Sequence, residues 1–256
     1  MKADTQTVSD NTIDLPAGGA PKIPRRVHAI NWTQASETLN EEGWAILPKL
    51  LTAKEASSIA GMYPDNARFR NRIVMAAHGF GRGEYKYFSY PLPPLIKALR
   101  SSLYPYLASI ANGWLDRLGK TAEYPAAHAD YLKNCSVSGQ VNSTLTLLQY
   151  GPNDYNCLHQ DIHGNHVFPL QVAILLDEPG KDFEGGQFLM SEQRPRMQTR
   201  GMVVEPFRKG DGVLFTAGNR PVRGIKGEYQ VKMRHGVNRV TSGRRRTLGI
   251  IFHDAV

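Results

Sequence analysis

The chain has little cysteine: two residues, Cys135 and Cys157, in 256. Two thiols cannot build a disulfide framework or a four-cysteine zinc site, and a chain of this length can bury a sufficient core without either. Both are expected to be free thiols in a reducing compartment. Long apolar runs are missing as well. The longest, Val172–Leu176 with Phe168 and Leu170 just before it, falls far short of the roughly 20 residues that cross a bilayer, so no membrane partner is expected. A secretory leader would need an apolar stretch near the start, where Lys2 is followed by polar residues, and the expected location is cytoplasmic. No internal repeat is evident, which argues against a solenoid or propeller.

What is plentiful is positive charge. Lys and Arg exceed Asp and Glu by 8, and the excess is concentrated: residues 194–246 hold fourteen basic residues against Glu205, Asp211 and Glu228, a surplus of 11 that leaves the remainder at −3. Such a block suits an anionic partner, either nucleic acid or a small dicarboxylate. A solvated face of basic strands accounts for it equally well. At 41% hydrophobic and 21% charged residues, the composition is otherwise ordinary for a globular domain.

Residues 1–26 are polar, interrupted by Pro and Gly and without periodicity, and are expected to form a flexible tail. The remainder, 27–256, reads as one domain in two parts. Over 27–142 the pattern is mostly helical: a helix from Trp32, a strand Gly43–Leu47, a helix opened by the capping box Thr52-x-x-Glu55, and a long helix from about Pro93 to Leu118. Over 143–256 short strands take over, at 144–150, 167–176, 187–190, 202–205, 212–216, 231–235 and 247–252, divided by Gly, Asp, Asn and Pro. That spacing predicts an α+β fold, with an all-β sandwich or jelly-roll core behind an N-terminal helical support layer.

Three of the eight histidines fall within Leu158-His159-Gln160-Asp161-Ile162-His163-Gly164-Asn165-His166. In an extended chain, residues i and i+2 point to the same side, so His159 and Asp161 can present a nitrogen and a carboxylate oxygen to one point. A third ligand must come from another strand. Two histidines and one carboxylate on one face of a metal form the facial triad of non-haem Fe(II) oxygenases.

Downstream, Arg234-His235-Gly236-Val237-Asn238-Arg239-Val240-Thr241-Ser242-Gly243-Arg244-Arg245-Arg246 resembles the distal part of the Fe(II)- and 2-oxoglutarate-dependent dioxygenases, where a His is followed by a Val-rich stretch, a Gly and a basic residue ten positions on. The resemblance implies His235 as third ligand and Arg245 as the clamp on the far carboxylate of 2-oxoglutarate, which a guanidinium fork can hold bidentately. Tyr150, nine residues before His159, matches the Tyr that joins that clamp in the prolyl-hydroxylase branch. Phe183-Glu184-Gly185-Gly186-Gln187-Phe188 and Lys209-Gly210-Asp211-Gly212-Val213-Leu214-Phe215 match further turn-and-strand elements of the superfamily. Arg68-Phe69-Arg70, Met75–Phe88, Asp154–Asp161, Glu192–Arg196 and Leu248–Ala255 are similar to a bacterial family labelled as oxygenases acting on damaged DNA. The resemblance implies a double-stranded β-helix core. The cofactors it implies are Fe(II), with 2-oxoglutarate and O₂ as co-substrates and ascorbate as a candidate reductant.

Several residues read in two ways. His163 and His166 flank a glycine and fit second-sphere or surface positions better than ligation. Alternation along a strand sets Arg245 opposite Arg244 and Arg246, so one side alone enters the core, and the spacing favours Arg245. His253 suits a packing or hydrogen-bonding role. Cys157 is two residues before His159 on the same face, and a buried apolar thiol is the expected reading over a soft neighbour of the metal. In Met75–Tyr90, three glycines among His78, Arg82, Tyr85 and Tyr87 suit a substrate cleft or lid on which a nucleobase could stack, or a plain hairpin.

The reading that follows is a dioxygenase that hydroxylates a C–H bond. With a nitrogen-bound methyl as target the outcome is demethylation of damaged nucleic acid, an extruded or single-stranded base reaching the iron. The alternative is a protein or peptide hydroxylase of prolyl type. It is favoured by one departure: alkylation-repair dioxygenases place a second Arg six residues after the co-substrate Arg, and Ile251 stands there. A cupin-like binding module without activity would have lost a ligand, and all three are present.

Overall fold

A computed structural model describes residues 22–162 and 164–256. Its first part holds helices α1 (Lys22–His28) and α2 (Trp32–Glu42), strand β1 (Trp44–Leu47), α3 (Ala53–Ala60), β2 (Phe69–Val74), β3 (Gly81–Arg82), β4 (Glu84–Phe88), the long α4 (Pro94–Arg117) and α5 (His128–Val137). Strands follow: β5 (Thr146–Tyr150), β6 (Tyr155–His159), β7 (Leu170–Leu175), β8 (Phe183–Gly185), β9 (Phe188–Gln193), β10 (Arg200–Val203), β11 (Gly212–Thr216), β12 (Asn219–Gly224), β13 (Gly227–Val237), β14 (Val240–Gly243) and β15 (Arg245–Ile250). The predicted capping box opens α3: Thr52 accepts from the Glu55 backbone while the Glu55 carboxylate accepts from the Thr52 N–H at 2.8 Å.

The strands form two main antiparallel sheets. The larger has the order β1-β11-β7-β15-β5-β4-β2, and the smaller has β10-β9-β13-β6-β3 with β12 added beside β13. Every residue of β7 is buried, because this strand is covered on both faces. On one face Val172, Ile174, Leu248 and Ile250 pack with Leu99, Leu103 and Leu107 of α4. On the other, Ala173, Leu175, Val213 and Phe215 meet Phe188, Met190, Val231 and Met233 of the smaller sheet. A cavity opens within this second layer.

Two boundaries differ from expectation. Residues 1–21 of the predicted tail lie outside the described residues, but Lys22–Arg26 belong to α1. Ile23 and Val27, four apart, bury one face of that helix, and Arg26 forms a two-pronged ion pair with Glu55 at 2.7 Å for each prong. In the 27–142 region the expected strand at 43–47 is present as β1, but β2 and β4 are added to it, and the three extend the larger sheet at both ends. The aromatic stretch Glu84–Phe88 pairs with β5 and so reaches the core.

Helix α4 fastens the last residues of the domain. Arg100, almost wholly buried, donates to the carbonyls of Ile251 (2.9 Å) and His253 (3.0 Å), to Tyr90 Oη (2.8 Å) and to Asp254 Oδ1 (2.8 Å). A buried charge so paired and hydrogen-bonded is tolerated, and removing one partner costs about 3–5 kcal/mol. Close by, His128 Nε2–H donates to the Phe252 carbonyl at 2.8 Å. Burial, with the Arg100 charge second, pushes His128 down to about 4. A histidine with a depressed folded-state value is neutral in both states above about pH 6.5, and its contribution is lost as pH falls through that window toward 4. The loss should reach roughly 2 kcal/mol at pH 5. Urea unfolding at pH 7 and pH 5 should show that loss in the wild type and a smaller one in His128→Gln, which keeps a donor without the titration.

Candidate metal centre and cavity

Strand register brings the two candidate imidazoles together. In the β13–β6 pair His235 lies directly opposite His159, with a register shift just beyond it, and the ring centroids are 4.2 Å apart. β6 ends at His159, so Asp161 stands in the loop that follows rather than in the strand, yet its carboxylate reaches both rings. Asp161 Oδ1 is 3.4 Å from His159 Nε2, and Oδ2 is 3.4 Å from His235 Nε2. One ligand atom from each of the three lies within 4.8 Å of the others.

The surroundings prepare these groups for a cation. His159 Nδ1–H donates to the Cys157 carbonyl at 2.8 Å, which fixes the tautomer and leaves the Nε2 lone pair facing Asp161. His235 is buried against Phe215, centroid distance 4.6 Å, and stacks with Phe188 at 6.1 Å. Burial lowers its proton affinity, which favours the neutral, ligating imidazole. For Asp161 burial works against the charge, but the two histidines outweigh it and hold the carboxyl well below its ordinary value. Burial acts to lower His159 as well, but the Asp161 carboxylate raises it on balance, so a cation binding here displaces that proton; two imidazoles and an ionised carboxylate match the donor set of a non-haem iron site.

Arg245 faces the same cavity from the larger sheet. It is 1% exposed and stands opposite Tyr150 in the β15–β5 register, with its guanidinium carbon 5.7 Å from the Tyr150 ring and 5.9 Å from that of Phe183. Nη1 donates to Thr247 Oγ1 at 2.6 Å, while Nε and Nη2 have no partner. Burial lowers its value to about 10, so it stays charged at neutral pH. The Tyr150 hydroxyl, pushed up to about 12 by burial against the pull of the Arg245 charge, makes no well-formed hydrogen bond. Gly186 of the predicted Glu-Gly-Gly element has φ +61°, and a Cβ there would lie 2.8 Å from Arg245 Cδ. That glycine makes room for the arginine. The neighbouring arginines turn outward as alternation requires: Arg244 is exposed and Arg246 pairs with Asp177 at 2.6 Å.

A cavity of about 420 Å³ joins these groups. Tyr85 and Tyr87 line it and meet edge to face at 5.4 Å. His78 and Arg82 do not: both are exposed, with His78 stacked on Phe80 at 5.3 Å. Lys86, on the opposite face of β4, is buried and donates to the Tyr63 carbonyl and Asn66. The predicted lid is fastened, because β3 pairs with β6 and the Cys157 N–H donates to the Phe80 carbonyl at 2.9 Å. Cys157 is exposed at the cavity rim, against the expected buried thiol, since β6 is open to solvent on that side; Cys135 is the buried one. His166 hydrogen-bonds Ser138 at 2.9 Å outside the cavity, His163 lies outside the described residues, and His253 accepts from the Phe168 N–H at 3.1 Å. Phe80 and Gln171 are cavity residues that the sequence pattern did not single out.

Facing antiparallel sheets around a His-Asp-His cluster define a non-haem oxygenase architecture. Residues 83–255 match the protein family described as an oxygenase catalysing oxidative methylation of damaged DNA, and the chain belongs to that family. It is 46% identical over 168 residues to an uncharacterized protein found in two strains of Mycobacterium tuberculosis, an alignment covering 66% of this chain and 72% of that one. Among solved structures it is similar to an oxidoreductase of the 2OG-Fe(II) oxygenase family from Burkholderia pseudomallei (TM-score 0.51, 16% identity, covering 88% of this chain and 92% of that one). It is also similar to a prolyl 4-hydroxylase from Phytophthora capsici (0.52, 14%, 93% and 68%). A third is the non-haem α-ketoglutarate-dependent epimerase SnoN of nogalamycin biosynthesis (0.52, 14%, 85% and 80%). The shared fold is the double-stranded β-helix of these oxygenases, as the family resemblance implied, and it agrees with the jelly-roll core expected from the strand pattern. No helix among the described residues is long and apolar enough to cross a membrane.

Removing a ligand should weaken metal binding by ~100-fold or more, beyond what loss of an outer-sphere partner costs. Equilibrium titration with Fe(II), or with Co(II) as a spectroscopic substitute, should show this for His159→Ala and Asp161→Asn. His166→Ala should bind metal as the wild type does.

Proposed function

We propose that the protein is an Fe(II)- and 2-oxoglutarate-dependent dioxygenase that oxidises a methyl or methylene carbon on damaged nucleic acid. The observation that carries the reading is the pairing within one cavity of a His-Asp-His cluster with a buried guanidinium that keeps two nitrogens unpartnered. A buried charge of that kind calls for an anion. A small diacid that can chelate a metal at one end and meet Arg245 at the other satisfies both halves.

In this reading His159, Asp161 and His235 hold the iron, and Arg245 with Tyr150 holds the distal carboxylate. The bound set supplies oxidation of a C–H bond, coupled to conversion of 2-oxoglutarate and O₂ to succinate and CO₂. The protein's own part is position and dryness. Thr247 fixes the guanidinium by its hydrogen bond to Nη1. Phe188 and Phe215 keep water from the buried side of His235, and the Cys157 carbonyl holds the His159 ring in its ligating tautomer.

Nucleic acid as substrate is supported by the family match, by the tyrosine pair on the cavity wall and by the basic block. Part of that block is already used: Arg220 and Arg194 pair with Glu192, Arg246 with Asp177 and Arg200 with Glu42. Arg196, Arg208, Arg223, Lys226, Lys232, Arg239 and Arg244 stay exposed. A peptide substrate is the second reading, favoured by Ile251, which puts an apolar side chain on the cavity wall where repair dioxygenases carry an Arg.

Arg245→Met should raise the KM for 2-oxoglutarate by about 100-fold, the order expected when one partner of a buried charged contact is lost. Arg244→Met should leave it unchanged; succinate formation measures both. Turnover should be stimulated by methylated single-stranded DNA, with binding that falls steeply as salt rises. Stimulation by a peptide pool instead, with a flat salt response, would transfer the substrate assignment to protein.

A further inference from the structure

The inner face of the larger sheet is a ruled surface, and its rows can be read from the registers. Arg245 and Tyr150 form the first row; Tyr85, Leu148, Thr247 and Leu175 the second; Tyr87, Thr146, Gly249 and Ala173 the third. The next step of the same alternation brings Thr144, Ile251 and Gln171 to the wall, and all three line the cavity. The third row is built from small side chains beside Tyr87, so the cavity stays open past it.

Gln171 is the anomaly of the fourth row. It is a carboxamide in a strand buried throughout, 4% exposed, and its Nε2 is fully enclosed without a hydrogen-bond partner. Thr144, in the same row beyond Ile251, is already engaged with the His253 carbonyl. A buried amide donor left unpaired costs free energy, and such a group is retained where a ligand completes it. That ligand is not the diacid proposed above. Gln171 lies two rows beyond Thr247, the residue that Arg245 touches, and two rows span about 13 Å of strand. In the proposed reading both ends of a five-carbon diacid are already engaged, one carboxylate by Arg245 and the other end by the metal ligands. Gln171 is linked to the metal end of the cavity through its cross-strand partner Phe215, whose ring packs on His235.

We propose that Gln171 selects the substrate: its carboxamide donates to a carbonyl oxygen on the edge of a methylated base whose face packs against Tyr87. This assignment rests on the nucleic-acid reading above and adds a preference to it, for bases that offer a carbonyl acceptor. A peptide carbonyl could meet the same donor, but the Tyr87 ring in the third row favours a flat ring.

The test uses iron-loaded protein with 2-oxoglutarate, without oxygen, and labelled single-stranded oligonucleotides carrying 3-methylthymine, 1-methylguanine, 1-methyladenine or no modification. Binding is read by fluorescence anisotropy. The wild type should prefer 3-methylthymine or 1-methylguanine over 1-methyladenine. Gln171→Met should weaken binding of the preferred base roughly tenfold or more and level the series. Gln171→Glu, which keeps the shape and replaces the donor with an acceptor, should shift the preference toward 1-methyladenine, whose edge carries a donor. If both variants bind the series as the wild type does, Gln171 is no selector, while the nucleic-acid reading stands. If both lose metal binding, Gln171 is structural and the assignment falls. If the wild type shows no dependence on the base and a peptide pool drives succinate formation, the nucleic-acid reading falls and this assignment with it.

Discussion

A guanidinium enclosed by protein with two of its nitrogens unpaired is the constraint around which the catalytic half is arranged. The isolated charge would be prohibitive in an apolar medium, so every neighbour of Arg245 makes it tolerable. Tyr150 and Phe183 offer ring faces to the cation, Thr247 accepts one hydrogen bond, and Gly186 gives up a side chain so that the arginine stem can pass. These groups come from β5, β8, the turn after β8 and β15. The charge therefore ties together segments more than 90 residues apart in sequence. The same arrangement explains the neighbouring arginines, whose outward direction is the pleat's consequence of turning Arg245 inward.

The opposite wall is governed by register. Because His235 faces His159 across the β13–β6 pair, two imidazoles from strands far apart in sequence converge without a loop being required to place either. Asp161 then closes the cluster from the turn that ends β6. In a sheet, a slip of one residue would send each histidine to the other face, so the alternation of buried residues along β13 also protects the His-Asp-His cluster.

Much of this was legible in the residues. The strand pattern after residue 143 and the opposition of Arg245 to Arg244 and Arg246 follow from periods of two in extended chain; the choice of Arg245 as the inward one came from the family resemblance, and Asp161 joins His159 from a loop rather than by strand alternation. The rest was hidden for physical reasons. Helix α5 begins at His128 after Ala127, with no side-chain cap to announce it, and α1 carries Pro24 in its first turn, which reads as a break although Pro is tolerated there. Strands β2 and β4 lie in a region rich in glycine and charge, and their place in the sheet is set by pairing, β4 with β5 and β2 with β4, rather than by local pattern. Gln171 gave no signal because a lone polar residue beside Val172–Leu176 reads as the margin of an apolar strand. His78 and Arg82 show the converse: chemically eligible side chains that the backbone turns toward solvent.

The backbone bond from Cys157 to Phe80 bears on traffic through the site. In many enzymes a loop must swing away before product leaves, and its motion then sets the turnover rate. Here the Gly79–Phe80 turn is stitched to β6, the strand that also carries His159. The mouth of the cavity is bordered by a turn tied to the strand that carries His159. In the proposed reading, the width of that opening sets the largest group that can approach the His-Asp-His cluster.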